Sequence, residues 1–229
     1  MTCYAAMMQP NLAQVLNTLA HEIRTPLAVS QGYLKLYLDG RLTDVEATRK
    51  AFEQTRQALG TLATLCVDMG KVSALSEPGM RGVPERIAAT DLITSLRHSE
   101  EIAGASFDAG AAPDGFVETA NARELAQAMA IVSKAAFDEA RDTPHAIRAD
   151  GGATAGGSNL VVIAGVNDSL PALQGGPEAT PARAVDFVKG GKGLKLIWAA
   201  FVLDKHGVQT WTHGDHRASV GFRIPLVQA

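Results

Sequence analysis

The sequence predicts two domains, an antiparallel helical hairpin followed by an α/β sandwich. Apolar residues recur at helical spacing between Leu12 and Leu38, and the next predicted helix carries an apolar residue every seven positions. After the segment from Glu77 to Pro84, the long helical patterns give way to a mixture of short helices and strands. We therefore place the domains at residues 9–77 and 84–229.

Two long helices account for the first domain. The first helix is predicted from about Asn11 to Asp39, with Gly40 as its C-terminal breaker. Thr43-Asp44-Val45-Glu46 has the S/T-x-x-E form of a capping box. The second helix should therefore start there and run to about Ser76, where Pro78-Gly79 stops it.

An apolar seam along the second helix predicts the oligomeric state. Its members lie seven residues apart, with two more on the adjoining seam: Val45, Phe52, Leu59 and Cys66, then Leu62 and Met69. A single hairpin leaves this seam open, whereas a second copy closes it in a four-helix bundle. We therefore expect a homodimer, and we expect Cys66 to be a small buried hydrophobic residue.

The second domain is predicted from shorter patterns. The expected helices are Ala88 to Arg97, Asn121 to Arg141, and Leu194 to Lys205. The expected strands are Ser106-Phe107-Asp108, Gly115-Phe116-Val117, Asn159 to Ala164, Val208 to Trp211, and Ser219 to Ile224. Gly151 to Gly157 is predicted to be a flexible turn and Ser169 to Arg183 a loop. An antiparallel or mixed sheet with helices on one face would combine these elements.

Composition restricts the function. The chain has 229 residues, a formal net charge of −3 and 46% hydrophobic residues, which is typical of a soluble globular protein without a basic field for nucleic acid. No stretch approaches the roughly 20 consecutive apolar residues of a membrane span, and Met1 to Pro10 lacks the pattern of a secretory signal. Cys3 and Cys66 form no metal or redox motif. These observations predict a cytoplasmic protein with no nucleic-acid or membrane partner.

The stretch that carries chemistry is Leu19-Ala20-His21-Glu22-Ile23-Arg24-Thr25-Pro26-Leu27. His21 falls beside the apolar stripe of the first helix, where its imidazole can be offered to an incoming protein, and Pro26 should bend the helix one turn later. The run resembles the H-box of bacterial sensor histidine kinases, HExRTPL, and every position of that box is present. The resemblance implies that His21 carries a phosphoryl group as a phosphoramidate.

The same resemblance suggests roles for three neighbours of His21. Glu22 would orient the imidazole or accept its proton, unless it is a solvated helix charge. Arg24 would offset the charge of the transferring phosphoryl group, although a plain surface role is as good an interpretation. Thr25 completes the ExxT pattern that the family uses for phosphatase activity, and it would position the water that attacks an aspartyl phosphate. Alternatively, Thr25 merely packs before Pro26.

The second domain resembles the Bergerat-type ATP-binding domain of the same kinases. Gly190-Gly191-Lys192-Gly193-Leu194-Lys195-Leu196, a helix, and then Lys205-His206-Gly207 are similar to the family's GxGLGL box, helix and HG turn. Arg223-Ile224-Pro225-Leu226 matches its last strand. Glycine-rich turns at a helix start can cradle phosphate with bare N–H groups. Here Lys195 replaces the last glycine of the box, and its side chain would crowd that turn.

The nucleotide ligands of that family are missing. Ile131 and Ala135 stand where asparagines are expected, and neither supplies the oxygen ligand that magnesium requires. Gly165-Val166-Asn167-Asp168-Ser169 replaces the expected DxGxG turn, with Asp168 displaced as a weak substitute. Ser169 to Lys189 would correspond to the ATP lid and lacks a clear second glycine box. We therefore expect no ATP binding, no cofactor and no metal.

What remains of the site would be a degenerate nucleotide pocket, whose expected members are Ala135, Gly165, Gly191 and Gly193.

Three hypotheses of function follow. The first is a histidine phosphotransferase, since the chain resembles bacterial phosphotransferases of the ChpT type, whose ATPase-like domain binds no ATP. It would pass a phosphoryl group through His21 between response-regulator receiver aspartates. The receivers would bring the magnesium.

The second hypothesis is a sensor histidine kinase, or its cytoplasmic fragment, that autophosphorylates His21 from ATP. The missing asparagines argue against it, as does the expectation that about ten residues before the first helix hold no sensor domain. The third is a non-catalytic regulator that binds a kinase or a receiver, with His21 as a relic. The complete H-box argues against a relic, because a relic need not keep Glu22, Arg24, Thr25 and Pro26 together.

Overall fold

The computed structural model describes residues 12–76, 84–110, 113–154, 157–174, 193–213 and 216–228. Helices α1 (Leu12–Leu38) and α2 (Val45–Ser76) form the predicted hairpin. Gly40 has φ +66°, in the left-handed region that glycine adopts most readily, so it ends α1 as expected. Asn11 and residues 77–83 of the predicted linker lie outside the described residues.

The start of α2 is capped one residue later than the sequence predicted. The Asp44 carboxylate accepts a hydrogen bond from the Ala47 amide at 2.8 Å, so Asp44 rather than Thr43 is the N-cap. Glu46, the acidic residue of the predicted capping box, instead pairs with Arg49 at 2.6 Å. The predicted box was therefore wrong in register, because an aspartate next to the threonine offers the better cap.

Two apolar rows run along α2 on different sides. Ala51, Ala58, Leu65 and Val72, which also lie seven residues apart, are buried. The predicted seam is exposed within one chain, since Val45 is 84%, Phe52 50% and Leu59 54% accessible. Cys66 shares that side and is exposed, so the prediction that it is buried was wrong for a single hairpin.

Among the described residues, one helix, Val45–Leu75 within α2, is long and apolar enough by length and composition to cross a membrane. A single helix of this kind is weak evidence for a span, and the two apolar rows of α2 give its composition another explanation.

The second domain contains four further helices and seven strands among the described residues. In chain order they are β1 (Glu85–Ala88), α3 (Ala89–Arg97), β2 (Ser106–Ala109), β3 (Phe116–Thr119), α4 (Ala122–Phe137), β4 (His145–Thr154), β5 (Gly157–Val166), α5 (Leu170–Leu173), α6 (Gly193–Lys205), β6 (Gln209–His213) and β7 (His216–Pro225). The Asn121 side chain caps α4 by accepting from the Arg123 and Glu124 amides.

A five-stranded mixed sheet organises this domain. Its strand order is β2-β4-β5-β7-β6, with β2 and β4 parallel and the other pairs antiparallel, while β1 and β3 form a separate antiparallel pair. Buried residues of α3, α4 and α6 share one hydrophobic cluster with one side of the sheet. The predicted sandwich is therefore confirmed, with α3, α4 and α6 on one face of the sheet.

Two segments differ from the prediction. The turn predicted over Gly151 to Gly157 begins later, because Gly151 and Gly152 belong to β4 and pair with Leu160 and Asn159 of β5, and the antiparallel pairing continues to Thr154 and Gly157. A Cβ on Gly151 would lie 3.1 Å from Pro113, and one on Gly152 would lie 3.0 Å from Val161. These glycines thus allow close packing within a strand rather than a reversal of the chain. Strands β1 and β4 were not predicted at all, and α4 ends at Phe137 instead of Arg141.

The predicted loop from Ser169 to Arg183 begins with the one-turn helix α5. Leu170 and Leu173 pack with Ile163 and Trp211 in a second cluster, on the side of the sheet away from α4 and α6. The Trp211 indole donates a hydrogen bond to the Leu173 carbonyl at 3.1 Å. Residues 175–192, which hold the rest of that loop, lie outside the described residues.

Candidate phosphoacceptor site

His21 lies on the exposed side of α1, within the H-box predicted from the sequence. The helix continues through Pro26, which is buried. Arg24 and Thr25 are also exposed, three and four residues further along, so they share a side of the helix with His21. The structure therefore brings three of the four predicted site residues onto one accessible surface.

Glu22, the fourth predicted residue, reaches the second domain. It is half-buried, and its carboxylate accepts a hydrogen bond from the Gly193 amide, at the first residue of α6. Within the described part of the chain, no hydrogen bond joins Glu22 to His21. The role of Glu22 toward the imidazole stays a prediction, whereas its contact with α6 is a property of the fold that the sequence did not predict.

The end of the hairpin that carries His21 rests against the second domain. Val15, Leu19 and Ile23 of α1 pack against the hydrophobic cluster that contains Leu194 and Ile197 of α6. Leu65 and Val72 of α2 belong to the same cluster. One continuous apolar core therefore joins the two domains beside the phosphoacceptor helix.

The positions expected to hold nucleotide ligands carry apolar side chains. Ile131 is 4% exposed, and Ala135 packs partly buried against the core. Ile131 lines a cavity of about 260 Å3 between α2, α4 and α6, together with Lys195 and Trp198. In the described ranges, no group of three or more His, Cys, Asp or Glu side chains could hold a metal ion.

Gly165 and Asp168, from the predicted nucleotide turn, lie in strand β5 and in the short turn after it. Gly165 pairs with Ser219 where β5 meets β7, and a Cβ there would lie 2.5 Å from the Ser219 Cβ. The glycine is therefore required by strand packing, independently of a nucleotide. Asp168 is exposed in the short turn before α5. Gly193 is the buried start of α6, whereas Gly191 lies outside the described residues.

Asp68 is a residue at the domain junction that the sequence reasoning missed. It is 7% exposed, lines the same cavity as Ile131, and has Lys71 Nζ at 3.5 Å. The available signal was its isolation, since Asp68 and Lys71 are the only charged residues between Arg56 and Glu77. A carboxylate that interrupts a long uncharged stretch of a helix favours a polar contact on the buried side.

Both ring nitrogens of His206, in the predicted HG turn, make hydrogen bonds within the second domain. Its Nδ1–H donates to the Val202 carbonyl at 2.7 Å, which leaves Nε2 to accept from the Thr119 hydroxyl at 2.9 Å. The Thr119 oxygen accepts in turn from the Asn121 amide at 3.0 Å. Burial is the main cause that lowers the pKa of His206, and the carbonyl of Val202 acts in the opposite direction. His206 thus links the end of α6 to the start of α4.

Comparison with known proteins agrees with this geometry. Residues 11–72 match the family model of the His Kinase A (phospho-acceptor) domain. The structure is similar to that of the Acinetobacter baumannii histidine kinase AdeS, with a TM-score of 0.51 and 17% identity over 90% of this chain and 98% of that chain. No curated protein matches the sequence.

Two further solved structures show weaker similarity. Full-length ShkA in complex with AMPPNP has a TM-score of 0.49 and 17% identity over 94% of this chain and 46% of its own. A bacterial phosphotransferase has a TM-score of 0.36 and 12% identity over 92% and 93% of the two chains.

The chain has a histidine-kinase-like core. His21 lies within the residues that match the phospho-acceptor family model. The similarity to the structure of a histidine kinase extends over both the hairpin and the α/β domain, since it covers 90% of this chain.

Proposed function

We propose that the protein is a histidine phosphotransferase of a two-component phosphorelay, which passes a phosphoryl group through His21 between receiver aspartates without binding ATP. One observation carries this proposal. The phosphoacceptor His21 is exposed in a complete H-box, whereas the nucleotide positions of the second domain hold Ile131 and Ala135. A carrier of phosphoryl groups needs an exposed phosphoacceptor histidine, but it does not need side chains that bind a nucleotide.

The transfer requires little of the carrier. A neutral imidazole has a free lone pair on one ring nitrogen, which attacks the phosphorus of the aspartyl phosphate. The N–P bond forms as the O–P bond breaks, and the receiver carboxylate leaves with the electron pair of that bond. The receiver would bring the magnesium that offsets the phosphoryl charge, and Arg24 would add a cation from this chain. Transfer to a second receiver runs the same step in reverse.

Three features of the second domain support the absence of ATP binding. Ile131 and Ala135 offer no oxygen to a magnesium ion. The Gly193 amide, which a phosphate would need at the start of α6, already donates to Glu22. The segment after β5 turns onto the outer side of the sheet as α5, where Leu173 and Trp211 hold it away from α4 and α6.

The homodimer is part of the proposal, and the exposed row of α2 supports it. Phe52 and Leu59 are about half exposed, and Leu34 of α1 is 51% exposed. With Tyr37 they line an apolar cavity of about 200 Å3 along the open side of the hairpin. A contiguous apolar surface of this kind marks a protein interface, and a second hairpin has the matching surface.

A working histidine kinase is the second candidate. The fold similarity to AdeS favours it, because it extends over both domains and 98% of that chain. The two candidates differ in the phosphoryl donor. A kinase labels His21 from ATP alone, whereas the phosphotransferase requires a phosphorylated receiver.

The proposal is tested by incubating the protein with receiver domains labelled on their aspartyl phosphate. We expect acid-labile label on the wild-type chain and none on His21→Ala, because the alanine has no nucleophilic nitrogen. His98→Ala is the matched control, since His98 is another exposed histidine, at the end of α3. Equal labelling of His21→Ala and wild type would exclude His21 as the acceptor.

A further inference from the structure

Glu22 connects the phosphoacceptor helix to the first backbone N–H of α6. The first four N–H groups of a helix have no partner inside the helix, and the helix dipole adds partial positive charge at that end. The Gly193 amide is one of these groups, and its hydrogen bond goes to the Glu22 carboxylate. An anionic side chain is therefore matched in charge to the position that it occupies.

The hydrogen bond lies within an apolar interface. Leu19 and Ile23, on either side of Glu22 in the sequence, pack against the cluster that contains Leu194 and Ile197. Gly193 is buried and Glu22 half-buried, so water competes weakly for this bond. Apolar contacts are non-directional, whereas a hydrogen bond constrains the angle at which its partners meet.

We propose that Glu22 is a latch between the domains, whose carboxylate fixes α6, and with it the ATPase-like domain, against the helix that carries His21. The latched arrangement leaves His21 exposed. The second domain is thereby held at a fixed position beside the phosphoacceptor helix, which gives an ATPase-like domain that binds no ATP a structural role. This consequence rests on the proposed function, whereas the latch itself does not.

The contact can be removed from either side. Glu22→Ala deletes the acceptor, and Glu22→Gln keeps an oxygen acceptor but loses the charge. Gly193→Pro deletes the donor, because proline has no N–H, and proline is tolerated in the first turn of a helix. Glu53→Gln is the matched control, since Glu53 is a carboxylate of α2 whose partner, Arg49 at 2.7 Å, lies in the same helix.

Hydrogen–deuterium exchange of the whole chain measures the latch directly. We expect the amides in the first turn of α6 to exchange about fivefold faster in Glu22→Ala, as for loss of a helix cap. Glu22→Gln should increase exchange by a smaller factor, because a neutral acceptor makes a weaker hydrogen bond. Glu53→Gln should leave it unchanged. Wild-type exchange rates in Glu22→Ala would overturn the proposal.

Unfolding in denaturant supplies an independent check. Glu22→Ala and Gly193→Pro should each lower the ratio of folded to unfolded protein by about fivefold. The double variant should be as stable as the less stable of the two single variants, because both substitutions remove the same hydrogen bond. Additive losses would overturn the latch. Neither experiment uses a phosphoryl donor, so a failure here is distinct from a failure of phosphotransfer.

Discussion

His21 and Glu22 are neighbours in the sequence but serve different surfaces of α1. Successive side chains of an α-helix are rotated by about 100° from one another. His21 is consequently exposed, while Glu22 reaches the start of α6. Arg24 and Thr25 return to the exposed side, one turn beyond His21. The accessible surface of the H-box, where we propose that a receiver binds, thus presents His21, Arg24 and Thr25, and Glu22 belongs to the domain interface.

Thr25 provides a test of a second activity on that surface. If its hydroxyl positions the water that attacks an aspartyl phosphate, Thr25→Ala should slow receiver dephosphorylation by at least about tenfold, because a misplaced nucleophile reacts slowly. His21 should still accept phosphate. Thr25→Ser keeps the hydroxyl and should retain most of the activity. Both rates are measured with labelled receiver, and equal effects on acceptance and dephosphorylation would show that Thr25 has no separate role.

His206 makes stability depend on pH in a known direction. Its folded-state pKa lies below the ordinary value of 6.5, mainly because of burial. As the pH falls through about 6.5, the unfolded chain therefore binds a proton that the folded chain does not, and the free energy of unfolding decreases. This decrease should continue down to the folded-state pKa.

The test compares wild type with His206→Gln, which does not titrate. The free energy of unfolding is measured in denaturant between pH 7.5 and pH 5, a range that brackets the ordinary pKa of histidine. Over this range it should decrease less in the variant than in wild type. Identical slopes would mean that His206 keeps its ordinary pKa in the folded chain.

At the scale of elements, the exposed apolar row of α2 is the proposed dimer surface. Phe52→Glu would place a carboxylate in the proposed bundle core, where an unpaired charge costs about 3 kcal/mol or more. We expect the variant to be monomeric at concentrations where wild type is dimeric. Gln57→Glu is the control, because Gln57 is exposed on another side of α2. Light scattering gives the masses, and a stable wild-type monomer at micromolar concentration would contradict the dimer.

The predictability of each element depended on its length and chemistry. Both helices of the hairpin were predicted closely, because 27 and 32 residues give a helical period many repeats. Strand β1 has four residues and no clear alternation, and β4 contains Gly151 and Gly152, which usually indicate turns. Short or glycine-rich strands are stabilised by their partners in the sheet, which the local sequence does not specify.

At the scale of the whole molecule, the H-box could be recognised in the sequence, whereas the contacts around it could not. The H-box predicted His21, Arg24 and Thr25 as site residues through residue identity alone, and their roles stay predictions. The bond from Glu22 to Gly193 joins positions 171 residues apart and depends on how the two domains pack. The exposure of Cys66 likewise depends on which row of α2 faces α1. Neither property is encoded in a local pattern.

The source of the phosphoryl group decides between carrier and kinase, and one labelling experiment measures it. The wild-type chain is incubated either with radiolabelled ATP and magnesium alone or with a radiolabelled phospho-receiver, and the label on His21 is followed in time. We predict rapid labelling from the phospho-receiver, onward transfer when a second receiver is added, and no label from ATP. Labelling of His21 from ATP alone, lost in His21→Ala, would contradict the account and identify the protein as a kinase.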